Sequence, residues 1–375
     1  MKKRIVVIKI GSSVIAEPDG GLRRAVVSRI CGEIANATVP ADDTDERWQF
    51  ALVTSGAVAM GREMIKQRGR RVDVLQALSA IGQGELFREF SERLASWELK
   101  SAQILLTFLE TSERENREAA TRTLKRLLTW DVIPVINEND TVTTDALTFG
   151  DNDYLAAQVA TMLSADLLLL LTDADGVFTA DPRLDPEARL IPLIDDPDDA
   201  LGRYKIGDKT SPLGSGGMKS KVRAAQLAAR GGVRATICNG GRADVVAKAI
   251  AGGEVGTQVS SREVPRSWTQ SRKFWLEHGK PASGRIVVDP GAERALLKKG
   301  ASLLPVGVIG VEGEFEVGDA VEVVSQDSRV IGKGLSEFSS KDLRRICRMQ
   351  TAAVRELIPD APGEAISRDW LIVSI

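Results

Sequence analysis

The sequence predicts an α/β chain in two parts: a three-layer αβα sandwich on a mainly parallel sheet, then a small β-rich domain. Three observations predict it. Short runs rich in Val, Ile and Leu alternate with helically spaced segments from residue 4 to about 260. That alternation is the pattern of a parallel sheet covered by helices on both faces. The runs end in turns of glycine, serine, asparagine or aspartate, where ligands of open α/β sheets sit. Beyond residue 284 the segments shorten and strands outnumber helices. The pattern breaks between them, where Pro265, Trp268, Trp275, His278 and Pro281 fall without clean periodicity. Residues 1–260 are read as one domain, 261–283 as a linker and 284–375 as the second domain.

The composition narrows the function classes. The chain has 375 residues, 43% of them apolar, and a formal net charge of −2. It therefore has no bulk attraction for nucleic acid or anionic membrane. No run of about 18 apolar residues occurs, so no membrane-spanning helix is expected. The start, MKKRIVVIKIGSS, reads as a first strand and not as a signal peptide. Cys31, Cys238 and Cys347 are widely separated and odd in number, which fits a reducing, cytoplasmic location. A single histidine, His278, excludes histidine triads and multi-histidine metal centres, and no protein-only metal site is expected.

Taken in order, Lys3–Ile10 is a buried strand that runs into Gly11-Ser12-Ser13. Small residues let a backbone approach phosphate oxygens closely. Lys9, inside that strand, is either a strand-end lysine reaching solvent or a cation held for a partner. Leu22–Ala37 has helical spacing, and 40–46 is an acidic loop. Phe50–Thr54 is a strand ending in Ser55-Gly56-Ala57, before a helix whose amino terminus suits an anion. Val74–Trp97 is helical with Gln83 and Gly84 interrupting it. Ala102–Leu106 reads as a strand, and Arg114–Leu128 as a helix with a solvated, charged face.

Val132–Ile136 is a strand that stops at Asn137-Glu138-Asn139-Asp140. The second acid-and-amide cluster, Gly150-Asp151-Asn152-Asp153, precedes a helix from about Tyr154 to Leu163. The two clusters are either Asx-rich turns or a site at the strand's carboxyl end. Asp166–Leu171 is a strand, and the aspartates after Thr172, beginning with Asp173, order a nucleotide sugar or a magnesium shell, or form a turn. The stretch 211–221, SPLGSGGMKSK, is glycine-rich and opens a helix over Val222–Ala229, with Lys219 and Lys221 in it. It suits a phosphate chain, although its glycine spacing is not that of the Walker loop. Ala235–Asn239 is a strand and Val245–Ala251 a short helix. In the tail, Arg285–Val288, Val306–Val311, Ala320–Ser325 and Val330–Leu335 read as strands and Ala292–Lys298 as a helix. Lys341, Arg344, Arg345 and Arg348 form a basic cluster, either a solvated helix face or an RNA contact.

Together, Lys9 with Gly11 and Ser12, and residues 214–221, are two cationic, N–H-rich positions able to flank a transferring phosphoryl group. Such transfer depends on positioning and electrostatics. A carboxylate acceptor is already ionised at neutral pH and needs no base, whereas a hydroxyl needs one. The scarcity of histidine therefore favours a carboxylate acceptor. Asp153 is placed to hold both lysines, and Asp140 with Asn137 and Asn139 to hold an ammonium group.

The segments VVIKIGSSVI, VTSGAVAMG, VIPVINENDTV, FGDND, LLLLTDADGVFTADP and GSGGMKSKVRAA resemble, in order, the signatures of the amino acid kinase family. NEND, GDND and TSGA together resemble the members that act on glutamate. The tail segment GRIVVDPGAERALLKKGASLLPVGV resembles a PUA domain. The resemblance implies the amino acid kinase fold and ATP-dependent phosphorylation of the L-glutamate γ-carboxylate, with Mg2+, as the first step of proline biosynthesis. It implies proline feedback, a dimer or tetramer, and handover of the labile product to glutamate-5-semialdehyde dehydrogenase. It implies that Lys9 and Lys221 stabilise the phosphoryl group and that Asp153 orients them. Ser55, Gly56, Ala57, Asn137, Asp140, Asp151 and Asn152 would then line the glutamate pocket. Lys9, Gly11, Ser12, Thr172, Asp173, Gly214, Ser215, Gly216, Gly217, Met218, Lys219 and Ser220 would bind ATP. Ser12, Lys219 and the acidic 40–47 loop depart from the family pattern, and the apolar end, Ser367–Ile375, has an open partner. Competing readings are an RNA-binding protein, an aspartate kinase of the same fold, and an inactive homologue. The last is disfavoured by the presence of Lys9, Asp153 and Lys221.

Overall fold

The computed structural model describes residues 2–17, 20–39, 46–67, 69, 71–107, 111, 114–142, 152–195, 217–261, 276, 282–359 and 361–373. The chain divides into two compact units, with the main boundary between residues 265 and 266. No helix among the described residues is long and apolar enough to cross a membrane.

The first unit is built on a sheet of eight strands: β1 (Lys2–Ile10), β2 (Glu46–Thr54), β3 (Lys100–Leu106), β4 (Val132–Glu138), β5 (Leu167–Thr172), β6 (Leu193–Ile194), β7 (Arg234–Asn239) and β8 (Thr257–Val259). Their order is β3-β4-β2-β1-β5-β7-β8-β6. The pairs from β3 through β7 are parallel, and β8 joins β7 antiparallel. The continuous Val/Ile/Leu runs are explained by this placement, since strands buried on both faces have no polar side to alternate with. Val6, Ile8, Ile10, Phe50, Leu52, Leu169 and Leu171 belong to one core cluster with Leu86 and Phe90 of the helix Val72–Ala95. The helix Asn152–Leu163 is buried along nearly its whole circumference. It packs against β1, β5 and the helix Met218–Arg230.

Register fixes what strand prediction alone could not. Ile10 lies opposite Thr54 and Leu171, Val53 opposite Ile136, and Leu171 opposite Cys238. The carboxyl ends of β1, β2, β4, β5 and β7 therefore form one row. Gly11 and Ser55 directly follow at that edge, and Asn137, Thr172 and Asn239 are the last or next-to-last residues of their strands. The chain leaves β1 for β2 on one side and, after β4, enters β5 on the other, so the strand order reverses at β1. A ligand crevice of an open sheet forms at such a reversal.

One predicted feature is corrected. Gln83 and Gly84 do not interrupt their helix; Val72–Ala95 is continuous over 24 residues. The glycine that matters is Gly82, where a Cβ would stand 1.9 Å from the Ala57 carbonyl oxygen. Across the contact, a Cβ on Gly61 would stand 2.0 Å from the Leu78 oxygen. The helices Ala57–Ile65 and Val72–Ala95 thus meet backbone to backbone. Gly82→Ala is expected to destabilise the protein by about 3 kcal/mol, since overpacking forces backbone shifts. Chemical denaturation measures this, and a change below about 0.5 kcal/mol, the ordinary size of a harmless surface substitution, would show that the helices separate freely. The strands β6 and β8 carry no expectation from the sequence. Two- and three-residue strands are too short for periodicity to reveal.

The second unit holds a five-stranded sheet in the order β10-β9-β11-β12-β13. The strands are β9 (Gly284–Val288), β10 (Val308–Gly313), β11 (Ala320–Val324), β12 (Val330–Leu335) and β13 (Leu371–Val373). The helix Pro290–Lys299 starts where Asp289 accepts from the Gly291 and Ala292 amides, with proline at its first position, a favoured N-terminus. The apolar chain end finds its partner here: β13 pairs antiparallel with β12, and Trp370 and Leu371 are buried. The basic cluster falls on and just past the helix Ser340–Ile346, where Arg344 pairs with Glu314 and Arg345 with Asp342.

Candidate active site

The row of strand ends carries a buried charge cluster. Lys9 of β1 and Lys221, from the first turn of Met218–Arg230, converge on Asp153, in the first turn of Asn152–Leu163. Lys9 Nζ is 2.7 Å from Asp153 Oδ1, and Lys221 Nζ is 3.2 Å from Oδ2. The Ser220 hydroxyl also donates to Oδ2, at 2.8 Å. All three charged residues are at most 5% exposed. Burial by itself would raise the Asp153 pKa, but the Lys9 and Lys221 charges outweigh it. They hold the carboxyl well below the usual carboxylate range. Among the described residues, two cations share this one anion in a place where water is scarce.

The β1 turn lies beside this cluster. The Gly11 amide donates to the Leu171 oxygen at 3.2 Å, and a Cβ at Gly11 would stand 3.7 Å from Lys9 Nζ. Ser12 opens the short helix Ser12–Ile15. The tighter contact of a Cβ at position 11 would be with the Leu171 oxygen, at 3.1 Å.

Beyond β2 and β4 lies a polar cluster without a lysine. Asn152 Nδ2 donates to Ser55 Oγ at 3.2 Å and to Asn137 Oδ1 at 3.0 Å. Asn137 Nδ2 donates to Gln83 Oε1 at 2.7 Å, and Ser79 Oγ to Asp140 Oδ2 at 2.5 Å. Burial raises the Asp140 pKa, and the Ser79 hydrogen bond partly opposes that. Gly56 takes φ +108°, a left-handed conformation that glycine adopts without penalty, and Ala57 follows as the first helical residue. This turn brings Ser55 back to face Asn152.

The third group is at the ends of β5 and β7. Thr172 donates its hydroxyl to Asp173 Oδ1 at 3.1 Å, and its carbonyl accepts from Gly240 at 2.8 Å. Asn239 Nδ2 reaches the Asp173 carbonyl at 3.3 Å and Asp175 Oδ1 at 2.9 Å, and Asp175 pairs with Arg242. Gly217 is the N-cap of the helix carrying Met218, Lys219, Ser220 and Lys221. Asp151, Gly214, Ser215 and Gly216 lie outside the described residues.

Sequence reasoning missed Ser79, Gln83 and Asn239. Asn239 carried a usable signal, since Asn-Gly-Gly directly follows a strand. Ser79 and Gln83 carried none, because a polar residue within a helix reads as its wet face.

A model of the amino acid kinase family matches residues 4–239, and a model of the PUA domain matches residues 284–358. The chain is 40% identical over 375 residues to the glutamate 5-kinase of Pelobacter propionicus, covering 99% of this chain and 98% of that protein. The chain belongs to the amino acid kinase family, among the glutamate 5-kinases. Similar matches extend along the whole length of glutamate 5-kinases from Shewanella amazonensis, at 39% identity with 97% and 94% covered, and from Thermoanaerobacter sp., at 37% with 98% and 97% covered. The family model spans all three groups of residues at the strand edge, and the PUA model ends within the second unit.

Proposed function

We propose that this protein phosphorylates the γ-carboxylate of L-glutamate with ATP, and that Lys9 and Lys221 stabilise the transferring phosphoryl group. The observation that carries the mechanism is the pair of buried lysines on one aspartate. Charge in phosphoryl transfer spreads over the equatorial oxygens. A preformed positive site shielded from water stabilises that charge without reorganising. Asp153 keeps the two ammoniums in place before substrate arrives. The acceptor carboxylate brings its own electron pair, so no side chain has to remove a proton. The Ser55, Asn137, Asp140 and Asn152 group, with Gly56, Ala57 and Asp151, forms the glutamate end. Gly11, Ser12, Thr172, Asp173 and residues 214–220 form the ATP end.

Mg2+ enters this reading with the nucleotide. Among the described residues no group of three acidic, histidine or cysteine side chains could cage a metal. That donor set fits an ion bound mainly by phosphate oxygens and water, and Asp173 is the carboxylate of the ATP end that would help to hold it. When bound, the ion neutralises charge on the phosphates.

The same reading includes a cytoplasmic enzyme with a first domain over 1–260, a 261–283 linker and a second domain over 284–375. It also includes proline feedback, a dimer or tetramer, and handover to glutamate-5-semialdehyde dehydrogenase. Acyl phosphates react with hydroxylamine, which gives the test. With Mg-ATP, L-glutamate should yield hydroxamate and ADP in equal amounts, and L-aspartate or no acceptor should yield almost none. Equal rates with aspartate, or ADP release independent of acceptor, would overturn the assignment. Adding proline or the dehydrogenase to the same assay, and varying protein concentration, tests the remaining parts.

A further inference from the structure

The three groups of residues leave Ser79 and Gln83 unexplained. They lie one turn apart on Val72–Ala95 and so share a face. Ser79 is 2% exposed, and a polar group so buried is retained where it has a bond to make. Its bond goes to Asp140. The bond of Gln83 goes to Asn137, and from there a directional chain follows.

A side-chain amide has a donor end and an acceptor end. Gln83 presents its acceptor, Oε1, to Asn137 Nδ2 at 2.7 Å. Asn137 must then turn Oδ1 the other way, where it accepts from Asn152 Nδ2 at 3.0 Å. The same Nδ2 donates to Ser55 Oγ at 3.2 Å, so both Asn152 amide hydrogens are used. Asn152 Oδ1 is left buried with no hydrogen-bond partner among the described residues. Ser55 Oγ, already accepting, keeps its own hydrogen to give. A different orientation at Gln83 would reverse each amide in turn.

We propose that Gln83 is a positioning residue that sets the polarity of this amide relay. It thereby fixes a free acceptor at Asn152 and a free donor at Ser55 for the amino acid substrate. An acceptor suits an ammonium group and a donor suits a carboxylate, the two groups an α-amino acid carries. This rests on the glutamate reading given above. Gln83 touches no substrate in this scheme and acts through Asn137.

The test compares Gln83→Met, which keeps the length and loses the acceptor, with Gln83→Glu, which keeps an acceptor facing Asn137. KM for glutamate, KM for ATP and the thermal midpoint are measured for each and for wild type. Gln83→Met should raise KM for glutamate roughly 10-fold or more, the cost of unpaired buried polar groups. KM for ATP should stay within about twofold, as expected for a group that acts on the acceptor alone. Gln83→Glu should recover most of the loss, with all midpoints within about 4 °C. If both KM values move together, or if Gln83→Glu is no better than Gln83→Met, Gln83 is a packing residue and the inference fails. If wild type shows no dependence on glutamate, the functional reading fails first, and the inference with it.

Discussion

Lys221→Ala is expected to lower kcat by roughly 10²- to 10³-fold, the usual loss when one preorganised group facing developing charge is removed. The protein should remain folded, for a reason visible in the cluster. Truncating Lys221 leaves Asp153 with Lys9 at 2.7 Å and with the Ser220 hydroxyl at 2.8 Å. Asp153 therefore keeps a cationic partner, and the site loses one positive charge. Such a site still accommodates ground-state groups but offsets less of the charge on the phosphoryl group in transfer. KM for glutamate should therefore change much less than kcat. Rapid-quench single turnovers with saturating substrates measure the chemical step directly. A fall of less than about threefold, too small for a group facing the transition state, would remove Lys221 from the mechanism.

How much of this was legible beforehand depends on the distance over which each feature is written. Strands β1, β2, β4, β5 and β7 were readable because a strand buried on both faces is a local run of apolar residues. Lys9, Asp153 and Lys221 were readable as a set because each breaks its local pattern: a lysine in an apolar strand, an aspartate opening an apolar helix, a lysine after glycines. Their meeting on Asp153 was expected from charge and from the family resemblance, but the strand order β2-β1-β5 and the register that bring it about are long-range facts that local pattern does not carry. The continuity of Val72–Ala95 was misread for the same reason. Gly84, read as an interruption, has open space around it, whereas Gly82, two residues earlier, meets Ala57 and Gly61 of another helix, a neighbour that local pattern does not show. Gln83 was hidden twice, by lying in that helix and by acting through Asn137.

Asp153 carries the other large effect. Asp153→Ala removes the carboxylate that two buried ammonium groups share, and breaking a buried pair in this way costs about 3–5 kcal/mol. Asp153→Asn keeps the shape and a hydrogen-bond acceptor but loses the charge, and should fall between wild type and alanine. The pH dependence has a definite sign. The folded-state pKa is depressed, so the contribution is fully present above the unfolded value of about 3.9. It is lost as pH falls through the folded value. The stability gap between wild type and Asp153→Asn should therefore be flat between neutral pH and about pH 5 and shrink below about pH 4. Mg-ATP gives the decisive comparison. If the lysines face the phosphates, the nucleotide supplies the anionic charge that the substitution removed. Mg-ATP should then raise the thermal midpoint of Asp153→Ala by more than it raises that of wild type, because ligand stabilisation adds to a folded state that lacks its counter-charge. An equal shift in both proteins would mean that the ammoniums point away from the nucleotide, and that Asp153 serves the fold and not the transfer.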